Sequence, residues 1–233
     1  MPIAFTREIA AAIVRCELTH RRREPIDLPL ARRQHEAYEA ALREAGCEVR
    51  RLTATPDMAD AVFIEDTAVV LDELAIVTRP GAPSRRIETP AVAAALQAHR
   101  ELRHVEAPGT ADGGDVLVVG RRIFVGRSTR TNDAGIGQLR GFTAPHGYEV
   151  VVLTVHGCLH LKSAVTAVAD DLLLINPAWL PADAMRGFDV VLVHPNEPSG
   201  ANALPVGGRV IYSASFPETL GAAARPRSGG DGD

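Results

Sequence analysis

The sequence predicts an α/β fold built from ββαβ modules around a central axis, with an incomplete last module. Segments that begin at Asp66, Asp115 and Ala164 each contain an apolar run, a short polar turn and a second β-branched run, which is typical of a β-hairpin. These three starting points are spaced 49 residues apart. A period near 50 residues indicates an array in which no single unit buries its apolar face alone.

Each of these hairpins is followed by a helical pattern and then by one more strand. Thr89 is the expected N-cap of the first such helix, with Pro90 in its first turn. A weaker hairpin at 203–213 and a front unit with a helix at 36–45 bring the number of units to five. The alternative is a three-layer α/β sandwich, which the internal period disfavours. The predicted hairpins are 66–79, 115–127 and 164–177, the helices 91–99, 131–144 and 181–186, and the strands 49–52, 61–64, 102–106, 149–155 and 190–193.

The composition changes near residue 218. Residues 221–233 contain four glycines and almost no large apolar side chain. We therefore expect a single domain over residues 1–218 and a disordered low-complexity tail at 219–233. The helix and the strand that would complete the last module are expected to be missing.

The charge balance and the cysteine count restrict the function. A formal net charge of −4 argues against a nucleic-acid partner, and no apolar run approaches the roughly 18 residues of a membrane span. The N-terminus lacks the basic-then-apolar order of a signal peptide. Cys16, Cys47 and Cys158 are few, widely spaced and odd in number, which favours a reducing cytoplasm.

Acidic residues and histidines collect just before the predicted hairpins. Because equivalent positions of successive modules meet at one end of the axis, we expect these side chains to converge. Carboxylates and a histidine gathered there could bind a cation and move a proton. The residues are Asp60, Glu65 and Asp66 around the predicted strand 61–64, Asp112 and Asp115 before the second hairpin, and His156, Cys158 and His160 before the third.

Arginines occupy the loops that follow the first two hairpins. Arg85 and Arg86 lie in a Pro/Gly-containing loop, and Arg127 and Arg130 lie in the matching loop of the next unit. Because a guanidinium pairs with a carboxylate in bidentate fashion, the two loops could hold an amino-acid carboxylate. The alternative is that these arginines are exposed surface residues without a role in binding.

The pattern His156-x-Cys158-x-His160 raises the question of a metal. If this segment is a strand, alternate side chains share one face and could ligate zinc. No fourth ligand stands at a suitable spacing, so we expect no metal here. Cys158 as a nucleophile beside His160 is also disfavoured, because the two side chains of one strand would run parallel.

Several segments together resemble the dimethylarginine dimethylaminohydrolase family of the guanidine-modifying (pentein) superfamily. The resemblance spans most of residues 1–216 in the right order, and it implies a five-bladed β/α propeller. It further implies cofactor-free hydrolysis of N-methylated arginine to citrulline and a methylamine. The matching segments are 60–66, 78–86, 112–117, 124–132, 157–163 and 198–204.

The resemblance also implies roles for individual residues. Asp66 and Asp112 would surround the substrate guanidinium and the catalytic histidine, and His160 would be the general acid and base. Desolvated carboxylates of this kind select a planar cation, and attack at its central carbon passes through a covalent thiouronium. The implied substrate-binding residues are Leu18 through its backbone, Asp60, Glu65, Asp66, Arg85 and Arg130.

The family's nucleophile is a cysteine close to the C-terminus, in a segment that has no counterpart here. Neither Cys16, Cys47 nor Cys158 falls at that position. Loss of a covalent nucleophile commonly costs several orders of magnitude in rate, so we expect this chain to be inactive or nearly so. The alternatives are a non-catalytic or truncated copy that binds arginine derivatives and a metal-binding protein. A small-molecule ligand is expected in the first two cases, and the choice between monomer and homodimer stays open.

Overall fold

The front unit of the chain is a parallel pair of strands joined by a long helix. The structure is a computed structural model, which describes residues 1–20 and 22–223. The helix begins well before residue 36, because the Asp27 side chain accepts a hydrogen bond from the Leu30 amide (2.9 Å) and Pro29 occupies the first turn. The elements are β1 (Ile3–Arg7), α1 (Leu28–Glu44) and β2 (Glu48–Leu52), and the sequence did not predict β1.

The three central units have the predicted ββαβ topology. In each, the first two strands pair antiparallel and the third pairs in parallel with the second. The third unit replaces the helix with a short 3-10 turn, Ala182–Met185. The elements are β3 (Ala68–Val70), β4 (Leu74–Val77), α2 (Thr89–Leu96) and β5 (Glu101–His104); β6 (Val116–Val119), β7 (Arg122–Arg127), α3 (Asp133–Thr143) and β8 (Glu149–Thr154); α4 (Leu161–Ala164), β9 (Val165–Ala167), β10 (Leu172–Ile175) and β11 (Asp189–Leu192).

The last unit contains an antiparallel hairpin and a helix. The hairpin pairs β12 (Ala203–Val206) with β13 (Arg209–Tyr212), as predicted. Contrary to the prediction, helix α5 (Pro217–Ala223) follows, so the expected domain end at residue 218 falls inside a helix. Its first amides are capped by a distant side chain, because the Glu197 carboxylate accepts from the amides of Glu218 (3.0 Å) and Thr219 (2.8 Å). Residues 224–233 of the predicted tail lie outside the described residues.

The turn of this last hairpin touches the front unit. Gly207 adopts the left-handed conformation (φ +58°), and a Cβ placed on it would lie 1.9 Å from the carbonyl oxygen of Ala45. Ala45 is the C-cap of α1. The first and the last unit are therefore in backbone contact, and only glycine fits between them.

Two local predictions in the second unit are wrong. Residues 61–62 form a turn and Ile64–Thr67 is a 3-10 helix, so no strand covers 61–64. The carbonyls of Asp60 and Phe63 accept from the Arg85 side chain (3.2 and 3.0 Å), which supplies the partner that a strand would need. Thr89 does not cap α2 either, because its hydroxyl donates to the Arg86 carbonyl (3.1 Å) and a 3-10 helix, Pro83–Glu88, runs directly into α2.

Apolar side chains fill the spaces between neighbouring sheets. One cluster, with Ile76 and Val125 fully buried at its centre, joins the sheet of β3–β5 to the sheet of β6–β8. A second cluster around Phe124 and Leu173 joins that sheet to the next one. Each unit thus completes its core against its neighbours, as the repeat predicted. Among the described helices, none is both long and apolar enough to cross a membrane.

Candidate active site

Three buried side chains from three successive units meet at one place. Asp66 precedes β3, Asp112 precedes the 3-10 turn before β6, and His160 precedes α4 and β9. Nε2 of His160 lies 3.2 Å from Oδ2 of Asp112, and Nδ1 of His160 lies 3.8 Å from Oδ1 of Asp66. The imidazole is therefore held between two carboxylates, at the position that the repeat predicted for converging groups.

Asp115 fixes the loops around this cluster. Its Oδ2 accepts hydrogen bonds from the hydroxyls of Ser128 (2.6 Å) and Thr131 (2.7 Å). Its Oδ1 accepts from the Leu161 amide (3.0 Å), the residue directly after His160. The fully buried Asp115 carboxylate thus ties the second hairpin to the loop that carries His160, and it is occupied by protein donors.

Two glycines allow the loops to approach this closely. A Cβ on Gly113 would lie 2.0 Å from the Glu65 carbonyl oxygen. A Cβ on Gly114 would lie 2.6 Å from Oδ1 of Asp66 and 2.7 Å from Nδ1 of His160. The Gly114 amide also donates to Oδ1 of Asp66 at 2.9 Å. Residue 114 must therefore be small for the carboxylate and the imidazole to keep their positions.

The surrounding carboxylates favour the protonated form of the His160 imidazole. Burial favours the neutral form, but the hydrogen bond with Asp112 and the charges of Asp66 and Asp115 outweigh it and raise the pKa of His160. Burial likewise opposes the charge of Asp66, but His160 and Arg85 outweigh it and lower the pKa of that carboxyl. The site therefore places an imidazole with a raised pKa beside the Asp66 carboxyl, whose pKa is lowered.

Arg85 is committed to contacts within the protein. Its Nη1 donates to Oδ2 of Asp66 (2.5 Å), and its Nε and Nη2 donate to the two carboxylate oxygens of Glu88 (3.1 and 2.9 Å). The hydrogen bonds and charges of Glu88 and Asp66 outweigh burial and raise the pKa of this guanidinium. Arg85 thus lies against Asp66, and it is buried rather than presented at a surface.

Arg130 is less tightly engaged than Arg85. Its side chain is 9% exposed, and its Nη1 lies 3.8 Å from Oδ2 of Asp112, beyond normal hydrogen-bond distance. The other carboxylate oxygen of Asp112 accepts from the Gly81 amide at 2.9 Å. The guanidinium of Arg130 therefore lies beside the site. Arg86 and Arg127, from the same two loops, bind the Pro80 carbonyl and Asp133 instead.

The remaining predicted site residues are Leu18, Asp60 and Glu65. Leu18 is 40% exposed and borders a cavity of about 390 Å³, next to Cys158 and Trp179. Asp60 is buried and accepts from the Glu17 amide (3.1 Å), and Glu65 is exposed and pairs with Lys162 (2.5 Å). Asp66, Asp112 and His160 do not line this cavity, whereas Cys158 and Leu159, which directly precede His160 in the chain, do.

The structure gives no support, among its described residues, to the disfavoured alternative of a metal set of His156, Cys158 and His160. β8 ends at Thr154, and Gly157 takes a left-handed conformation (φ 73°), so the alternation of a strand does not apply. His156 is exposed, while Cys158 Sγ is directed at the His160 carbonyl oxygen (3.4 Å). Within the described chain, the group of three possible metal-ligating side chains that contains His160 is completed by Asp66 and Asp112, and the three ligand atoms lie within 4.8 Å of one another.

The thiol of Cys158 is expected to have low reactivity, although Cys158 is close to His160 in the chain. Burial, with a smaller contribution from the Asp115 charge, raises the pKa of its thiol to about 11. A thiol with such a pKa is almost entirely protonated at neutral pH, and the thiolate is the reactive form. The structure therefore agrees with the sequence in disfavouring Cys158 as a nucleophile.

The fold and the site together define an α/β protein of the class that includes amidinotransferases and guanidine-modifying hydrolases. A solved dimethylarginine dimethylaminohydrolase, in an adduct with S-methyl-L-thiocitrulline, matches with a TM-score of 0.88 and 31% identity, covering 92% of this chain and 85% of that chain. The Pseudomonas aeruginosa enzyme, solved with citrulline, matches with a TM-score of 0.86 and 30% identity over 93% and 86%. SxtG, an amidinotransferase from Microseira wollei, shares the fold at 19% identity and a TM-score of 0.75, over 86% and 76%.

Sequence comparison narrows the class to one family. A family model described as eukaryotic N,N dimethylarginine dimethylhydrolase matches residues 4–191. The N(G),N(G)-dimethylarginine dimethylaminohydrolase of Streptomyces coelicolor is 42% identical over 219 residues, which cover 93% of this chain and 83% of the relative. This chain belongs to the dimethylarginine dimethylaminohydrolase family.

Proposed function

We propose that this chain binds N-methylated arginine with the guanidinium beside Asp66, Asp112 and His160, and that His160 is the general acid and base of a hydrolytic reaction. The observation that carries the proposal is the His160 imidazole held between two buried carboxylates. Two negative charges in a desolvated site favour a planar cation. Two solved relatives support an arginine-like ligand. One is a histidine-to-glycine variant in an adduct with S-methyl-L-thiocitrulline, and the other is a cysteine-to-serine variant with bound citrulline.

The proposed reaction replaces the methylated amine of the guanidinium by oxygen. A thiolate adds to the guanidinium carbon, His160 gives its proton to the departing methylamine, and a thiouronium forms. His160 then takes a proton from water as the water adds to the same carbon. Collapse of that adduct expels the thiolate and releases the remaining hydroxyl proton, which the departed amine takes up in solvent, so that neutral citrulline is left.

The thiol is the part of this scheme that these 233 residues do not supply. Cys158 has a raised pKa and points at a backbone carbonyl, and Cys16 and Cys47 are buried at the ends of other elements. We therefore propose that the 233-residue chain binds the ligand and turns it over very slowly. The alternative, binding without any catalysis, shares the same site.

We propose that the carboxylate and the amine of the ligand are bound by residues next to the Asp66–Asp112–His160 cluster. Arg130 is the better candidate for the substrate carboxylate, because Arg85 already donates to Asp66 and Glu88. The Leu18 backbone, Asp60 and Glu65 are proposed to surround the amine end. Of these, Glu65 would have to exchange its Lys162 partner for the ligand amine.

The arrangement of the whole chain is proposed to be a five-bladed β/α propeller, with each unit as one blade. Three observations support it: the repeated ββαβ topology, the meeting of loops from three successive units at His160, and the contact of the Gly207 turn with α1. The ring would be closed by that last contact.

Calorimetry on the 233-residue protein tests the binding site. We expect asymmetric dimethylarginine to bind, and Asp112→Asn to weaken binding by about tenfold or more through loss of one desolvated charge. Asp72→Asn, in the exposed β3–β4 turn, is the matched control and should leave the affinity unchanged. A folded parent protein that binds no guanidinium ligand would refute the proposal. Citrulline formation at a family-like rate would refute slow turnover while leaving the binding site intact.

A pair of ligands tests the role of Arg130. Arginine and agmatine share a guanidinium, but agmatine lacks the carboxylate. We expect Arg130→Ala to weaken arginine binding by about tenfold or more and to leave agmatine binding nearly unchanged, because only the carboxylate contact is lost. Equal losses for both ligands would show that Arg130 acts on Asp112 rather than on the ligand carboxylate.

A further inference from the structure

Glu88 is a buried glutamate that neither the sequence pattern nor the proposed reaction uses. It is 1% exposed and stands at the junction of the Pro83–Glu88 turn and α2. Its two carboxylate oxygens accept from Nε and Nη2 of Arg85, a bidentate arrangement. Its carbonyl oxygen accepts from the fully buried Arg7 side chain at 3.0 Å. Backbone and side chain of Glu88 are thus both held in place.

The Arg85 guanidinium connects Glu88 to the site. While two of its nitrogens bind Glu88, Nη1 donates to Oδ2 of Asp66. The other oxygen of Asp66 accepts from the Gly114 amide and lies 3.8 Å from Nδ1 of His160. The result is a buried row of alternating charge that runs from Glu88 through Arg85 and Asp66 to His160.

Charge balance explains why the row needs Glu88. Arg85 alone would place an uncompensated positive charge against Asp66 and would cancel the field that favours a cation at the site. With Glu88 present, the Arg85–Glu88 pair is neutral as a whole, and the bidentate geometry fixes which nitrogen faces Asp66. Burial raises the pKa of Glu88, and the hydrogen bonds and charge of Arg85 oppose that shift.

We infer that Glu88 is a positioning residue, which holds the Arg85 guanidinium against Asp66 and so sets the orientation and effective charge of that carboxylate at the site. Glu88 itself does not touch the ligand. The part of the inference that concerns ligand affinity rests on the proposed function, whereas the effect on His160 does not.

Glu88→Gln tests the inference in ligand-free protein. NMR follows the pH titration of the His160 ring, assigned by its loss in His160→Gln. The charged groups that face this ring are Asp66 on the 3-10 helix before β3 and Asp112 and Asp115 on the loop before β6. We expect the titration midpoint to fall by about one pH unit, because the uncompensated Arg85 charge offsets Asp66. Dimethylarginine binding measured by calorimetry should weaken by roughly tenfold for the same reason.

Two further variants separate positioning from loss of packing. The double variant Arg85→Met, Glu88→Met removes both partners of a neutral pair and frees Asp66 from Arg85. The titration midpoint of His160 should therefore stay or rise. Glu39→Gln alters another fully buried glutamate that binds an arginine, Arg51, away from the site, and it should leave the midpoint unchanged. All variants are compared under conditions in which circular dichroism shows them folded.

The outcomes are distinct. A midpoint that falls in Glu88→Gln and does not fall in the double variant supports the inference, even if dimethylarginine does not bind the parent protein. That last result would refute the proposed function alone. An unchanged midpoint in Glu88→Gln, or equal falls in Glu88→Gln and the double variant, overturns the positioning role.

Discussion

Nε2 of His160 lies 3.2 Å from Oδ2 of Asp112, although 48 residues separate the two in the chain. Both side chains are buried, and each stands in the loop that leads into the first strand of its own unit. One hydrogen-bonded pair therefore links two successive units, and its protonation state affects both the site and the stability of the fold.

The first prediction concerns pH. Because the pKa of His160 is raised, the folded protein holds this proton more tightly than the unfolded chain, whose histidine has a pKa near 6.5. The resulting stabilisation is fully present below about pH 6.5 and is lost as the pH rises through the folded-state pKa. Urea unfolding between pH 5.5 and 9 should show a loss of about 1.4 kcal/mol for each unit of pKa shift.

Two variants isolate this contribution. Asp112→Asn removes the hydrogen bond that raises the pKa of His160 most, so its stability should depend less on pH over this range. His104→Gln, at an exposed position of β5, should keep the parent profile. Identical profiles for the parent and Asp112→Asn would contradict the assignment of this effect to the pair.

The second prediction concerns the close approach at Gly114. In Gly114→Ala the new methyl group would lie 2.6 Å from Asp66 and 2.7 Å from His160, so the two side chains must move apart. We expect a loss of about 1 to 3 kcal/mol in the free energy of unfolding and a loss of guanidinium binding.

Gly137→Ala is the matched control for Gly114→Ala. Gly137 lies in α3 with no atom within 4 Å of the added Cβ, so alanine should stabilise the protein by about 0.5 to 1 kcal/mol. Denaturant unfolding and calorimetry measure both changes. Unaltered ligand binding in Gly114→Ala would show that the site tolerates a wider spacing.

The third prediction concerns Cys158. With a pKa of about 11, only about one thiol in three thousand is ionised at pH 7.5, and the thiolate is the form that reacts. Iodoacetamide should therefore modify Cys158 at least about tenfold more slowly in the folded protein than in urea. Mass spectrometry of the peptide that contains residue 158 measures both rates, and equal rates would contradict the buried, protonated thiol.

The fourth prediction concerns the buried Glu39. The hydrogen bond from Arg51 outweighs burial and lowers the pKa of Glu39 to about 2. The stabilisation is therefore present above about pH 4.5 and is lost as the pH falls toward 2. Glu39→Gln should cost about 2 to 3 kcal/mol at pH 7, less than a fully buried pair because Arg51 is partly exposed.

Acid unfolding provides the comparison for Glu39. The stability difference between parent and Glu39→Gln should shrink below pH 4, since the parent carboxyl then takes up its proton. Glu48→Gln, which alters an exposed carboxylate at the start of β2, is the matched control and should have little effect. A constant difference down to pH 2 would contradict the lowered pKa.

The repeat predicted the parts of the structure that recur. Spacing placed acidic residues and histidines before successive hairpins, and the family resemblance selected Asp66, Asp112 and His160 among them. The structure brings these three together. The hairpins themselves follow from local alternation of apolar and polar residues, which depends on neighbours in the sequence. Such features are encoded where they occur, and sequence analysis recovers them.

Features that depend on distant partners escaped prediction. Helix α5 exists because Glu197 caps it from 21 residues away, and composition at its own position gave no sign of this. Residues 61–64 have a strand-like composition, but Arg85 takes up the carbonyls that a strand would pair. Glu88 was missed for the same reason, since its significance depends on the side chain of Arg85 and not on a repeated position.

The contact between Gly207 and Ala45 has a consequence during synthesis on the ribosome. About 160 residues must be added after Ala45 before this turn exists, which takes roughly 10 to 30 seconds at ordinary elongation rates. Throughout that interval the C-terminal end of α1 lacks its neighbour from the last unit. Helix α1 is therefore translated well before the last unit but is among the last elements to reach its final environment, and the nascent chain must remain soluble in the meantime.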